Sequence, residues 1–416
     1  MPFFSVFSPD VINLFLVRQN GIILTNGDDT HLFFFYFCKI NNLYFFIFKI
    51  MRNSKIIYLF VVICLFTTNL FPQSQENVHS PWRPVVSYIG DAAGNLSGGM
   101  ERGGGYLGYA VLGISYNGEE SGRWRNGGFT LTGGWTHGCT PSESWIGDLQ
   151  VADYIEAGNH LFLQECYLWQ RWGNWEATLG MQDFCAHFCF ADAANLYFNS
   201  SFGISSALSC NHQLSLFPLF TWGANLRWQP SSSFRLQAAL FDTPIDWEDN
   251  PYNLKWRFHK EKGANMVVEG EYSTKVGTIV KTALIAQTSD WTVSIQASAE
   301  LCLLETERHS LRLFGMGAVH LSESCTHPLQ YAFGANLSGL FFRTGNDVLG
   351  LAVTNAAIRW EGGSFRNETA VELTWQWGIN EHFYIQPDLQ YIVRPSGSDV
   401  PLDNALFSAL RIGFEW

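Results

Sequence analysis

Acidic and amide side chains recur two or four residues apart in several stretches of this 416-residue chain, with apolar or small residues between them. Glu269 and Glu271, Glu368 and Glu372, and Gln386, Asp388 and Gln390 are the clearest cases. In a strand, that spacing puts all of them on one face. A water-filled face with carboxylates lowers the free energy of cations, and amides exchange hydrogen bonds with hydroxyls. Asn225, Arg227, Arg235, Gln296, Glu300 and Arg411 fall on the same parity in their own segments. With Glu415 the set holds seven carboxylates against three arginines, an acidic wall. Two long segments without alternation, residues 136–160 and 182–217, are candidate constriction loops. They carry Asp148, Asp153 and Glu156, and Asp183 and Asp192, respectively. Cys185, His187 and Cys189 are spaced for a metal, but no second ligand pair accompanies them, so no metal is expected. There is no nucleophile elbow and no phosphate loop, and the histidines form no motif; neither enzymatic activity nor a cofactor is expected.

The elements that must position these residues are strands. Phe220, Trp222, Ala224, Leu226 and Trp228 alternate with Thr221, Gly223, Asn225, Arg227 and Gln229, and the same rhythm runs through residues 291–300, 368–377, 382–391 and 409–416. Further strands are predicted to begin near Tyr106, Phe129, Trp175, Phe234, Met266, Leu311 and Tyr331, with residues 161–171 of undecided facing. Tyr106 and Tyr116 share a face ten residues apart, roughly 24 Å of height at a 45° tilt, the spacing of two aromatic girdles. Trp124, Trp135 and Trp145 are girdle anchors or, near a mouth, surfaces for stacking. The prediction is an all-β transmembrane antiparallel barrel with inward-folded loops, since an open sheet in lipid would leave unpaired edges. A soluble β-sandwich is the rival, disfavoured by the aromatics at so many strand ends.

Composition agrees with this. Charged residues are 15% of the chain, and 25 basic residues face 37 acidic ones, which argues against nucleic acid as a partner. Residues 51–75, MRNSKIIYLFVVICLFTTNLFPQSQ, combine a basic start, a short apolar run and a polar exit, as a secretory signal peptide does. Residues 1–50 are then expected to be an upstream extension outside the translated protein, and residues 76–416 one barrel domain. From Gln75 onward the balance is 20 basic to 34 acidic residues, net −14. Seven cysteines remain, and an oxidising compartment favours disulfides with one thiol left over.

The blocks IGDAAGNLSGGMERGGGYLGYAVLGISYN (residues 89–117) and THGCTPSESWIGDLQVADYIEA (136–157) resemble the carbohydrate-selective porins of the OprB family. LYFNSSFG (196–203) and YIQPDLQYIVRPSG (384–397) follow in the expected order. The resemblance implies sixteen strands, a monomer or homotrimer in the outer membrane of Gram-negative type, contact with its lipids, and passive diffusion of sugars. An arginine-porin branch of the family, AaxA-like, makes L-arginine the alternative solute, in keeping with an acidic lumen. A non-transport surface barrel, adhesin or enzyme, is a more distant alternative. The final strand, ending on Trp416, resembles the signal read by outer-membrane assembly machinery.

Overall fold

A computed structural model describes residues 80–416 except 257–261, 323–324, 342–345, 360–363 and 399, together with the backbone of four short strands nearer the start. Those four, β1 (Ile12–Leu14), β2 (Gly21–Asn26), β3 (Leu32–Ile40) and β4 (Leu43–Ile47), pair antiparallel in sequence order within a separate unit, residues 1–78. The expected signal peptide, residues 51–75, lies outside the described residues.

The second unit is a closed barrel of sixteen strands. Its first half is β5 (Trp82–Gly99), β6 (Gly103–Asn117), β7 (Gly127–Gly138), β8 (His160–Trp172), β9 (Trp175–Gln182), β10 (Thr221–Ser231), β11 (Phe234–Asp242) and β12 (Ala264–Ser273). The second half is β13 (Ile279–Gln287), β14 (Thr292–Glu305), β15 (Ser310–His320), β16 (Leu329–Ser338), β17 (Asp347–Arg359), β18 (Phe365–Gly378), β19 (Phe383–Val393) and β20 (Asp403–Glu415). Each strand pairs antiparallel with its sequence neighbours, and β20 returns to β5 to close the seam. Closure is what satisfies the backbone of the edge strands away from water.

The period of two sets the wall. In β10, Thr221, Gly223 and Asn225 are buried while Ala224 and Leu226 are exposed, and β12, β14, β18, β19 and β20 repeat the pattern on the expected parity. Exposed apolar side chains such as Leu112, Leu179, Leu240, Leu284, Phe333 and Leu373 make the outer face hydrophobic on strand after strand. Aromatics ring the end where β5 begins and β20 stops: Trp82 packs on Tyr116 and Phe129, Trp175 on Trp228, and Trp416 stacks on His382 at 4.6 Å.

At that end the connections are short, for example residues 173–174 and 232–233. At the other end, residues 139–159, 183–220 and 243–263 form long loops. Three strands escaped the sequence reading. β5 begins the barrel well before Tyr106; β13 and β17 carry apolar residues on both faces. The seven cysteines are all free, correcting the expected disulfides. Cys185, Cys189 and Cys210 share loop 183–220, and Cys166 and Cys302 lie within strands β8 and β14.

Replacing Leu112, 70% exposed on the outer face, with Arg should cost about 2–4 kcal/mol in urea unfolding from lipid vesicles, against about 1 kcal/mol or less for Thr130→Arg on the inner face. Equal costs would show that the outer face does not meet acyl chains.

Candidate constriction of the channel

Loops 139–159 and 183–220 fold into the barrel. Neither contains a lysine or arginine, so their backbone N–H groups are the donors they bring inside, and the wall supplies acceptors. Glu300 accepts from Asp192 N and Ala193 N at 2.7 and 2.9 Å, and Glu372 from Phe198 N and Asn199 N at 2.6 and 3.1 Å. Glu368 accepts from Leu149 N, Gln150 N and Ser396 N at 2.8, 3.0 and 2.7 Å. Glu269 accepts from Cys189 N at 2.7 Å. A carboxylate taking several N–H groups in a dry site forms strong, charge-assisted bonds.

Wall amides meet the loop carbonyls. Gln386 donates to Leu196 O and Gln390 to Ala152 O, both at 2.7 Å; Gln296 donates to Cys189 O, and Gln237 to His187 O. Between these polar anchors the contact is apolar. Phe184, Phe188 and Leu208 pack on Phe241, Val267, Ala283 and Ile285, while Ala194, Tyr197 and Phe202 pack on Phe314, Met316 and Ala352. Glycine permits the closest approach: a Cβ on Gly350 would stand 2.6 Å from Leu196 and 2.8 Å from the Tyr197 hydroxyl.

This overturns the acidic wall. The inward parity holds, but Glu269, Glu300, Glu368, Glu372 and Asp388 are buried under the loops, as are Asn225, Gln296, Gln386, Gln390 and Arg411. Of the loop carboxylates, Asp148 and Asp153 are buried, Glu156 and Asp183 are half-buried, and Asp192 is exposed. The candidate stacking tryptophans are elsewhere. Trp135 is on the outer face of β7, Trp124 donates to Gln170 by the short turns, and Trp145 packs over Gly103.

What remains accessible runs across β8 to β12. Arg171 pairs with Glu176, and Glu176 accepts from Arg227 at 3.1 Å. Arg235 pairs with Glu271, which lies 3.7 Å from Lys281. These are cross-strand neighbours by register, Arg171 opposite Glu176 opposite Arg227 and Arg235 opposite Glu271 opposite Lys281. The ladder thus sets three accessible cations against two carboxylates, with Lys281 as a fourth cation buried under loop 183–220, where it donates to Phe190 O at 3.1 Å. Arg171 and Arg227 keep 58% and 24% of their side-chain surface exposed and line a cavity of about 440 Å³ beside Gln229. Arg171 lies over the Trp169 ring at 4.9 Å, and Tyr167 and Trp169 share its inward parity on β8.

The chain matches the family described as carbohydrate-selective porin, OprB family, over residues 102–282 and 285–416. It belongs to the OprB family. It resembles the high-pH structure of Pseudomonas putida OprB with a TM-score of 0.71 at 19% identity, covering 81% of this chain and 94% of that one. The low-pH structure of the same protein gives 0.54 at 17% identity, covering 81% and 93%. A loop-deletion mutant of Vibrio cholerae OmpT gives 0.50 at 8% identity, covering 81% and 100%. No curated sequence matches significantly. As an OprB porin the protein is an outer-membrane channel.

Sequence reasoning missed four charged residues of this OprB lumen. Arg171 lay in a strand of undecided facing, and Asp91 and Lys281 in strands not recognised. Glu176 could have been found, since in β9 Trp175, Ala177, Leu179 and Met181 alternate with Glu176, Thr178, Gly180 and Gln182.

Burial pushes Glu156 and Asp183 up to about 7 and Asp148 to about 6. Glu156 still accepts from Ser142 N at 2.9 Å. The folded loops therefore bind protons that the released loops would not, so loop docking is firmest below the ordinary carboxylate range and weakens as pH rises through about 6 to 7. Single-channel conductance should accordingly be lower at about pH 5 than at about pH 8, and Glu156→Gln should flatten the difference. A conductance that falls on going to alkaline pH would contradict this. Separately, Glu300→Leu leaves two donors unmet, at about 1–3 kcal/mol each. It should expose the aromatic-rich loop 183–220 to chymotrypsin while heat-modifiable gel mobility stays intact; a protease-resistant loop would refute the anchor.

Proposed function

We propose that this OprB porin passes small carbohydrates, neutral or anionic, by passive diffusion. The observation that carries the reading is the wall the loops leave uncovered, where Tyr167 and Trp169 adjoin a ladder of guanidinium and carboxylate groups. Aromatic rings offer apolar faces to the C–H side of a sugar ring. Guanidinium forks and carboxylates offer donors and acceptors to its hydroxyls. The loops filling much of the lumen favour monosaccharides over longer chains. Contact with outer-membrane lipids follows from the apolar outer face.

L-arginine is the alternative solute that the arginine-porin branch of the family implies, and an acidic lumen would favour it. With five of its carboxylates taken up by loops, the accessible ladder has a surplus of cations, which disfavours a cationic solute.

Liposomes carrying the protein should swell in glucose faster than in maltooligosaccharides, and Trp169→Ala should slow glucose entry by about threefold or more. In planar bilayers the reversal potential should show a modest anion preference, turned toward cations by Arg227→Glu with Arg235→Glu. Impermeable liposomes would end the channel reading; arginine outpacing glucose would end the carbohydrate one.

A further inference from the structure

Arg411, on the last strand, is 2% exposed and among the largest fully buried side chains of the barrel. It stands directly opposite Asp91 of the first strand, across the seam. Its Nε donates to both Asp91 carboxylate oxygens at 3.0 and 3.1 Å, and its Nη2 to one of them at 2.7 Å. For holding the seam that fork would be enough. Yet Nη2 also donates to Asp153 of loop 139–159 at 3.1 Å, and the guanidinium lies 3.7 Å from the centre of the Phe198 ring of loop 183–220 and 4.5 Å from that of Tyr154. The two loops are stitched together at the same place: Tyr154 N donates to Phe198 O at 2.9 Å and Ser200 N to Val151 O at 3.0 Å.

One cation therefore touches the first strand, the last strand and both inward loops. Of the other anchors, Glu368 adds Ser396 N to loop 139–159, and Gln390 meets both inward loops, donating to Ala152 O and accepting from Asn199 at 3.4 Å, but neither pairs across the seam. The fully buried Asp153 carboxylate has this guanidinium as its charged partner, with Ile155 N its other donor at 3.3 Å, as a carboxyl group taken out of water requires. We propose that Arg411 is a positioning residue for the constriction: it locks both inward loops to the closed seam, so that the narrow bore exists only in a barrel whose β20 has paired with β5. This rests on the channel reading above and adds which residue sets the bore.

The test uses the full-length refolded protein in planar bilayers and liposomes. Asp153→Asn combined with Phe198→Ala cuts the loop side and leaves the Asp91–Arg411 pair intact. It should raise single-channel conductance by about twofold or more and admit an oligosaccharide the parent excludes. Heat-modifiable mobility should stay at the parent value, because the Asp91–Arg411 pair is untouched, which a merely structural contribution to the seam would not allow. Arg411→Lys keeps the charge but not the fork, and should give an intermediate conductance with a lowered melting temperature. Asp91→Asn should lower the melting temperature more than it widens the bore. Conductance and size limit unchanged in both the double variant and Arg411→Lys would overturn the proposal. A parent protein that conducts nothing would refute the channel reading itself, and the bore assignment with it.

Discussion

Backbone amides and carbonyls buried away from water must find partners, and this constraint acts twice in the molecule. In the wall it demands that β20 return to β5, because any open edge would leave a row of donors and acceptors facing hydrocarbon. Inside the barrel it acts on the loops. Residues 139–159 and 183–220 have little regular structure of their own, so their N–H groups take wall carboxylates and their carbonyls take wall amides. Sheet closure and loop docking are two solutions of one problem.

The second solution changes the electrostatics of the lumen. A carboxylate that accepts loop backbone N–H groups is spent as an anchor; it no longer presents its charge to a passing solute. Glu269, Glu300, Glu368 and Glu372 all go this way. The charges left in view are those paired across β8 to β12, Arg171 and Arg227 on Glu176 and Arg235 on Glu271, while Lys281 beside Glu271 is itself covered by loop 183–220. A chain with strong overall negative charge thus exposes a cation-rich strip in its pore. Net charge bears on solubility and partners, and lumen charge depends on which groups the loops cover.

Docking also blurs the sequence pattern that reveals the barrel. Where a loop lies on the wall, the inward face turns apolar, as at Ala283 and Ile285 of β13 and Ala352 and Ala356 of β17, and alternation is lost. Those two strands went unread for this reason. β5 was missed because RPVVSYIGDAAGNLSGG gives only weak contrast between its faces. The two long segments that lacked alternation do fold inward, as residues 139–159 and 183–220, and their length sets them apart from the short strands whose period is blurred.

By itself the sequence determined the barrel, its outward and inward parities, the positions of the two inward loops and the family. All of these follow from a period of two between nearest neighbours or from motifs contiguous in the chain. Tertiary structure alone decided which inward side chains meet water. Glu300 is covered by residues more than a hundred positions away, and Arg411 meets Asp91 across 320 residues. Alternation says which way a side chain points, and only the path of the loops through the lumen says what stands in front of it.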